Sequence, residues 1–141
     1  MANQEKNEFR VNLNGRDYLE LIEDQGKYHF HFVACHELYE LLQQNRKHHG
    51  DNIKNWPIPQ GNTHSELLLK ELLLKTKGQW TFPYQADELC HCRNVPTAIV
   101  DQAILAGAHT PEAVSRWTSA STACGTCRAD VEKIIKYRLG T

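Results

Sequence analysis

The first third of the chain alternates hydrophobic and polar residues with the period of two that is typical of β-strands. The alternation predicts one strand over 9–13, a second over 17–23 and a third over 27–34. Asn14-Gly15, between the first two, is a dipeptide strongly favoured in two-residue hairpin turns. The pattern therefore predicts a three-stranded antiparallel meander at the N-terminus.

Helical periodicity replaces this alternation after the third strand. Spaced leucines predict a first helix that ends at Gly50, and Thr63 with Glu66 forms the capping-box pattern that starts a second helix over 65–76. The leucines within 67–74 cover more than half of the circumference of that helix. We therefore expect it to be buried on more than one side, either within the chain or in a dimer interface.

Beyond a junction at residues 78–85, the pattern is helical throughout. Ile99 lies on the apolar face of a helix that Gly107 is expected to end. Thr110 and Pro111 have the residue types of an N-cap and a first helical residue, so they predict the start of the next helix.

The remaining helical features complete the predicted fold. Trp117 is expected in the core, and a last helix over about 124–137 is expected to bury three side chains, which are Val131, Ile134 and Ile135. The predicted fold class is α+β. A small three-stranded antiparallel meander with two helices occupies residues 1–82, and an all-helical domain follows over 83–141. The first domain resembles no family that we recognise, and we expect it to serve in docking or dimerisation.

Composition narrows the range of functions. The 141 residues include 40% hydrophobic and 23% charged residues, and the formal net charge is −1. This balance gives no basic field that would favour nucleic acid or an anionic membrane. The chain has no apolar run of transmembrane length, and the polar stretch 1–8 does not have the pattern of a signal peptide. We therefore expect a cytoplasmic protein.

Four of the five cysteines form two close pairs. Cys90 and Cys92 make a C-x-C pair, and Cys124 and Cys127 make a C-x-x-C pair. Each iron of a 2Fe-2S cluster takes two thiolates in tetrahedral geometry, which two close pairs can supply. A C-x-x-C pair at a helix start also presents free backbone N–H groups to bound sulfur. In a reducing compartment such pairs are more often metal ligands or redox groups than disulfides.

The spacing alone leaves zinc as a serious alternative. Four thiolates suit a structural zinc site, although zinc ribbons usually have C-x₂₋₄-C on both arms and C-x-C is unusual for them. A thioredoxin-like redox pair at Cys124 and Cys127 would require a βαβ context, which this region lacks.

Residues 88 to about 136 closely resemble the bacterioferritin-associated-ferredoxin-like (BFD-like) 2Fe-2S domain. That family is a compact helical unit with C-x-C and C-x-x-C ligands about thirty residues apart. The resemblance implies that Cys90, Cys92, Cys124 and Cys127 hold a 2Fe-2S cluster, which favours iron–sulfur over zinc. The chain departs from the family where residues 120–123 replace a glycine-rich loop, and where Pro96 replaces a frequent helix-capping threonine.

The resemblance also implies a bacterial electron-transfer protein. Domains of this family pass electrons to bacterioferritin or serve as modules in larger oxidoreductases and scaffold proteins. We therefore expect redox partner proteins, such as an iron-storage protein or an oxidoreductase, with a homodimer as a further option. An iron–sulfur sensor or regulatory interaction protein is the alternative function, and a zinc-stabilised binding module is a weaker one.

The N-terminal residues suggest no chemistry of their own. Residues 1–85 contain no nucleophile–base pair, phosphate loop or paired acids that indicate catalysis, so the chain is not expected to be an enzyme. Cys35 is predicted to be a small buried hydrophobic residue. His29 and His31 share a strand face and are predicted to be solvated rather than to bind metal.

Overall fold

The chain folds into two compact units in a computed structural model, which describes residues 6–13, 16–85, 87–90, 95–118 and 128–140. The N-terminal unit comprises residues 1–60 and 65–80, and the C-terminal unit comprises 61–64 and 81–141. None of the helices among the described residues has the length and apolarity needed to span a membrane.

The N-terminal unit begins with the predicted antiparallel meander. Its strands are β1 (Lys6–Leu13), β2 (Asp17–Asp24) and β3 (Lys27–Val33), in the order β1-β2-β3. The strand prediction is thus confirmed to within a few residues at each end. The predicted turn at Asn14-Gly15 lies outside the described residues.

The two faces of the meander differ as the alternation predicts. One face carries four core side chains that are each at most 2% exposed, namely Val11, Leu13, Leu19 and Leu21. The opposite face is polar, and there the Arg10 guanidinium donates to Glu20 at 2.6 Å across the β1–β2 pair. Because side chains alternate between faces in a strand, this arrangement fixes the register of the two strands.

The turn between β2 and β3 is a two-residue loop of Gln25 and Gly26. Their φ angles are +52° and +79°. Both central residues thus have positive φ, as a type I′ turn requires. Such a turn makes Asp24 and Lys27, which flank it, a hydrogen-bonded pair.

Helix α1 (His36–His49) follows β3 and ends at Gly50, as predicted. Its N-cap is Cys35, whose Sγ accepts the Leu38 N–H at 3.5 Å. The Cys35 N–H in turn donates to the Asp17 carboxylate at 2.7 Å. The prediction of Cys35 as a buried hydrophobic residue is therefore wrong, since the half-buried side chain caps a helix.

Helix α2 (His64–Thr76) is the leucine-rich helix. Five of its leucines are at most 1% exposed, which are Leu67, Leu68, Leu69, Leu72 and Leu73. They are therefore buried within a single chain, and no second copy is required to cover them. Near the end of the helix, the Lys75 ammonium pairs with Glu71 at 2.6 Å and donates to the Arg10 carbonyl of β1 at 3.0 Å.

The C-terminal unit opens with a small hairpin that the sequence pattern did not predict. Strands β4 (Glu88–Cys90) and β5 (Val95–Pro96) pair in the antiparallel direction, with an irregular register. The expectation that this region is entirely helical is therefore wrong. Strands of three and two residues are too short to show an alternating pattern.

Three helices follow this hairpin, namely α3 (Thr97–Ala106), α4 (Pro111–Thr118) and α5 (Arg128–Leu139). Gly107 ends α3 with a φ of +130°, and the Thr110 hydroxyl accepts the Ala113 N–H at 3.1 Å at the start of α4. Both predicted helix signals are thus confirmed. The core includes the three side chains expected from the last helix, which are Val131, Ile134 and Ile135.

Two hydrophobic residues of this unit lie outside the core, contrary to prediction. Ile99 is 49% exposed and Trp117 is 55% exposed. Helical periodicity identifies which residues share a face, but in helices this short it does not fix which edge of the face the core covers. Pro96, which replaces a frequent helix-capping threonine of the resembled family, is the N-cap of α3 and makes no side-chain capping bond.

Candidate metal centre

The first cysteine pair is located by the small β-hairpin. The backbone of Cys90 ends β4 and pairs with Val95 of β5, so Cys92 belongs to the connection between the two strands. Cys92 itself lies outside the described residues. Leu89 and Val95, at 1% and 5% exposure, anchor the two strands in the core.

The second cysteine pair is located by the helices on either side of it. Cys124 and Cys127 lie outside the described residues, between the end of α4 at Thr118 and the start of α5 at Arg128. Val131, in the first turn of α5, is 1% exposed. A buried side chain so close to Cys127 fixes the start of this helix on the core.

One hydrophobic core contains the described elements that flank both cysteine pairs. Leu89 and Val95 from the hairpin belong to the same cluster of buried residues as Val114 of α4 and Val131 of α5. Helix α3 contacts both strands of the hairpin as well as α4 and α5. The structure thus brings together the residues that flank the two pairs, and the assignment of the four cysteines as ligands remains a prediction.

Charge at the start of α5 is balanced by two glutamates. The Arg128 guanidinium lies 2.7 Å from the Glu112 carboxylate and 3.2 Å from the Glu132 carboxylate. The hydrogen bond from Arg128 lowers the pKa of Glu112, and the bond to Glu112 in turn raises the pKa of Arg128. The positive charge of Arg128, the residue that follows Cys127, is therefore largely balanced by these two carboxylates.

The backbone of α5 supplies positive potential instead. The first N–H groups of a helix have no partner inside the helix, and the helix dipole places partial positive charge at the same end. Arg128 is the first residue of α5, directly after Cys127. An anionic group held by Cys124 and Cys127 would therefore lie next to these N–H groups.

A buried ion pair fixes α5 against α3. The Arg138 guanidinium donates to both oxygens of Asp101, at 2.7 and 2.6 Å, and the Arg138 side chain is only 3% exposed. A bidentate pair of this kind has a fixed geometry. It holds the far end of the helix whose first residue follows Cys127.

The residues at this centre suit a 2Fe-2S cluster. Two pairs of thiolates match the donor set of two tetrahedral irons, and both pairs flank segments of one core. The helix start beside the second pair favours an anionic cluster. Sequence analysis missed Glu112 and Asp101, because the arginines that they bind are 16 and 37 positions away and no short-range pattern signals such pairs.

Comparisons with known proteins point to the same segment. Residues 89–137 match the family described as the BFD-like 2Fe-2S binding domain. The chain is 36% identical, over 52 residues, to the nitrite reductase (NAD(P)H) large subunit of Klebsiella oxytoca. This match covers 37% of the chain and 5% of that relative, so the chain spans only a small part of its length. No solved structure matches the chain significantly.

The family match covers the elements that flank both cysteine pairs. The match begins at Leu89, the buried residue before Cys90, and extends into α5. Residues 89–137 are therefore a BFD-like 2Fe-2S binding domain at the C-terminus of the chain.

Proposed function

We propose that the chain is a small electron carrier that passes one electron between a reductase and a partner protein. In this proposal Cys90, Cys92, Cys124 and Cys127 hold the cluster, which supplies a one-electron couple when bound. The observation that supports it is that the elements flanking both cysteine pairs pack into one core, within a segment that matches a 2Fe-2S binding domain.

In an electron carrier, the residues around the cluster would keep its ligands in fixed positions. A carrier reacts quickly when its ligands move little between the two oxidation states. Leu89 and Val131 anchor the two segments in the core, and Asp101 with Arg138 fixes α5. The N–H groups at the start of α5 would offset negative charge on the reduced cluster.

The relative supports a redox context. The matched segment of the Klebsiella oxytoca protein belongs to an NAD(P)H-dependent nitrite reductase, which is an oxidoreductase. In our proposal the partners of this chain are an oxidoreductase that donates the electron and a protein that accepts it, and an iron-storage protein is one candidate acceptor. We place this exchange in the cytoplasm and assign no catalytic reaction to the chain.

The ligand assignment is tested by single substitutions. Protein purified without oxygen should contain iron and acid-labile sulfide in equal amounts and show the visible absorption of a 2Fe-2S cluster. Substituting any of Cys90, Cys92, Cys124 or Cys127 by Ser should lower iron content and visible absorption. Cys35→Ser is the matched control, because serine is also a good N-cap and Cys35 lies in the other unit. Colourless protein with stoichiometric zinc would contradict the assignment.

The carrier role is tested separately. The loaded protein should be reduced by one electron, reoxidised without loss of iron over repeated cycles, and reduced by an NAD(P)H-dependent reductase. A cluster that is lost on the first oxidation, with a change in partner binding, would instead support the sensor function.

A further inference from the structure

Among the residues that the structure describes, no strand pairs with the outer side of β3, which is therefore an open edge of the N-terminal sheet. It is the last strand in the order β1-β2-β3, and six of its seven residues are exposed, with Phe30 half-buried. The type I′ turn before it makes Asp24 and Lys27 a hydrogen-bonded pair. From there along β3, residues that are hydrogen-bonded to β2 alternate with residues that are not. Tyr28, Phe30 and Phe32 therefore direct their backbone N–H and C=O groups away from β2, towards the open edge.

The side chains of Tyr28, Phe30 and Phe32, together with Tyr39 of α1, form an aromatic surface beside a groove. The Phe30 and Phe32 rings are 5.2 Å apart, and the Phe32 and Tyr39 rings are 6.2 Å apart. A cavity of about 320 Å³ lies between these strand residues and α1, with a floor of three buried side chains, namely Leu42, Ile53 and Trp56. Tyr28, Phe32 and Tyr39 are each 36–45% exposed, which is high for aromatic residues.

Charges around the groove are paired with one another. Arg46 binds Asp51 at 2.6 Å, and Lys54 binds Glu23 at 2.6 Å while it lies 5.6 Å from the centre of the Tyr28 ring. Within the described part of the chain, the rim therefore offers no strong charge of one sign to select a charged partner. An edge with open backbone groups and neutral aromatic side chains is suited to another β-strand of similar character.

The sequence of β3 is complementary to itself. Residues 28–32 read Tyr-His-Phe-His-Phe, an alternation of aromatic and histidine residues that is symmetric about Phe30. If two β3 strands pair in the antiparallel direction with Phe30 opposite Phe30, Tyr28 of each chain faces Phe32 of the other. The aromatic residues then all lie on one face and the histidines on the other. Aromatic pairs across strands stabilise a sheet, and an interface of this kind has twofold symmetry.

We propose that two copies of this chain form a homodimer through antiparallel pairing of β3, with Phe30 at the twofold axis. The two meanders then make one continuous sheet, and the exposed rings of Tyr28 and Phe32 are covered. The pairing of one strand buries less area than a standard stable interface. The dimer is therefore expected to dissociate on dilution.

A charge-swap experiment tests both the dimer and its register. The mass of the full, cluster-loaded chain is measured by light scattering after size exclusion, over a range of concentrations. The native chain should approach twice the monomer mass as concentration rises. In the proposed register, position 28 of each chain faces position 32 of the other. The double variant Tyr28→Lys, Phe32→Lys therefore places lysines opposite each other, and Tyr28→Glu, Phe32→Glu places glutamates opposite each other. Each double variant alone should be monomeric, and an equimolar mixture of the two should regain the dimer mass.

The control replaces two exposed hydrophobic residues of the C-terminal unit, Ile99→Lys with Trp117→Lys, and should leave the native dimer unchanged. Circular dichroism checks that each variant is folded. A native chain that stays monomeric at every concentration would overturn the proposal. A monomer with a small apolar molecule bound in the groove would overturn it as well. So would a dimer that both double variants retain.

Discussion

Asp17 is fully buried at the first residue of β2, and it joins the meander to the start of α1. Burial alone would raise the pKa of its carboxyl group. The hydrogen bond from the Cys35 N–H and the contact with Arg16 at 3.2 Å outweigh burial and hold the pKa below its ordinary value. The ionised carboxylate is therefore part of the folded structure.

This lowered pKa predicts a loss of stability in acid. A group whose pKa is lower in the folded state contributes stability above its unfolded pKa, and that contribution is lost as pH falls. We expect the free energy of unfolding, measured with urea, to decrease below about pH 4. Asp17→Asn should make this decrease shallower. Asp51→Asn, which removes a carboxylate from a side chain that is 79% exposed, is the control. An unchanged slope in Asp17→Asn would contradict the role of Asp17.

The charged residues at the start of α5 predict that substituting either Glu112 or Arg128 will change the reduction potential of the cluster. The Glu112 carboxylate is ionised at neutral pH, and Arg128 lowers its pKa further, so Glu112→Gln removes one negative charge beside Arg128, the residue that follows Cys127 in the sequence. We expect the potential to rise by on the order of tens of millivolts. Arg128→Gln should lower it. A spectroscopic redox titration measures both shifts, with Glu40→Gln in the N-terminal unit as control. Shifts of the same sign in both variants would contradict this electrostatic account.

At the scale of residues, local patterns predicted local contacts and missed distant ones. Gly107, Thr110 and Gly50 were identified because caps depend on neighbours along the chain. The cap formed by Cys35 was missed because cysteine rarely takes that role. Arg138 was not expected to be buried, because the Asp101 carboxylate that pairs with its guanidinium lies in another helix.

At the scale of elements, α2 shows how strongly a sequence pattern can specify burial. Its leucines extend around more than half of the helix, and all but Leu74 are fully buried. Such a helix obtains its stability from packing rather than from its surface ion pairs, which contribute about 0.2–0.5 kcal/mol each.

This packing predicts unequal costs for two similar substitutions. Leu68→Ala should lower the free energy of unfolding by about 2–5 kcal/mol, since it leaves a cavity at a side chain that is 0% exposed. Leu74→Ala, at a half-buried position of the same helix, should cost less. Urea denaturation followed by circular dichroism measures both. Equal losses would mean that helix propensity, and not burial, dominates at these positions.

The elements that the sequence did not predict are short. Strands β4 and β5 have too few residues for a periodic signal, and their pairing depends on the core contacts of Leu89 and Val95. Helices α3 and α4 were located correctly, yet the exposure of Ile99 and Trp117 depends on how those helices are oriented in the core. Element positions follow from local chemistry, whereas orientation follows from tertiary packing.

At the scale of the whole molecule, the division into two units predicts that loss of iron acts locally. Binding of a metal centre to the folded state adds its free energy to the stability of the unit that holds it. After iron is removed with a chelator, hydrogen exchange should become faster in α3 and α5. Exchange in β1, β2 and β3 should stay unchanged. The same treatment of a Cys90→Ser variant is the control, and a similar increase in both units would contradict the prediction.

The ion pair between Glu112 and Arg128 also has a consequence for sequence variation. It joins the first turns of α4 and α5, the two helices that precede and follow residues 119–127. The entropy lost on closing a loop grows only with the logarithm of its length, at about 0.6 kcal/mol for each doubling. Insertions before Cys124 should therefore be tolerated in evolution and in design, whereas insertions between Cys124 and Cys127 would change the spacing of the two thiolates.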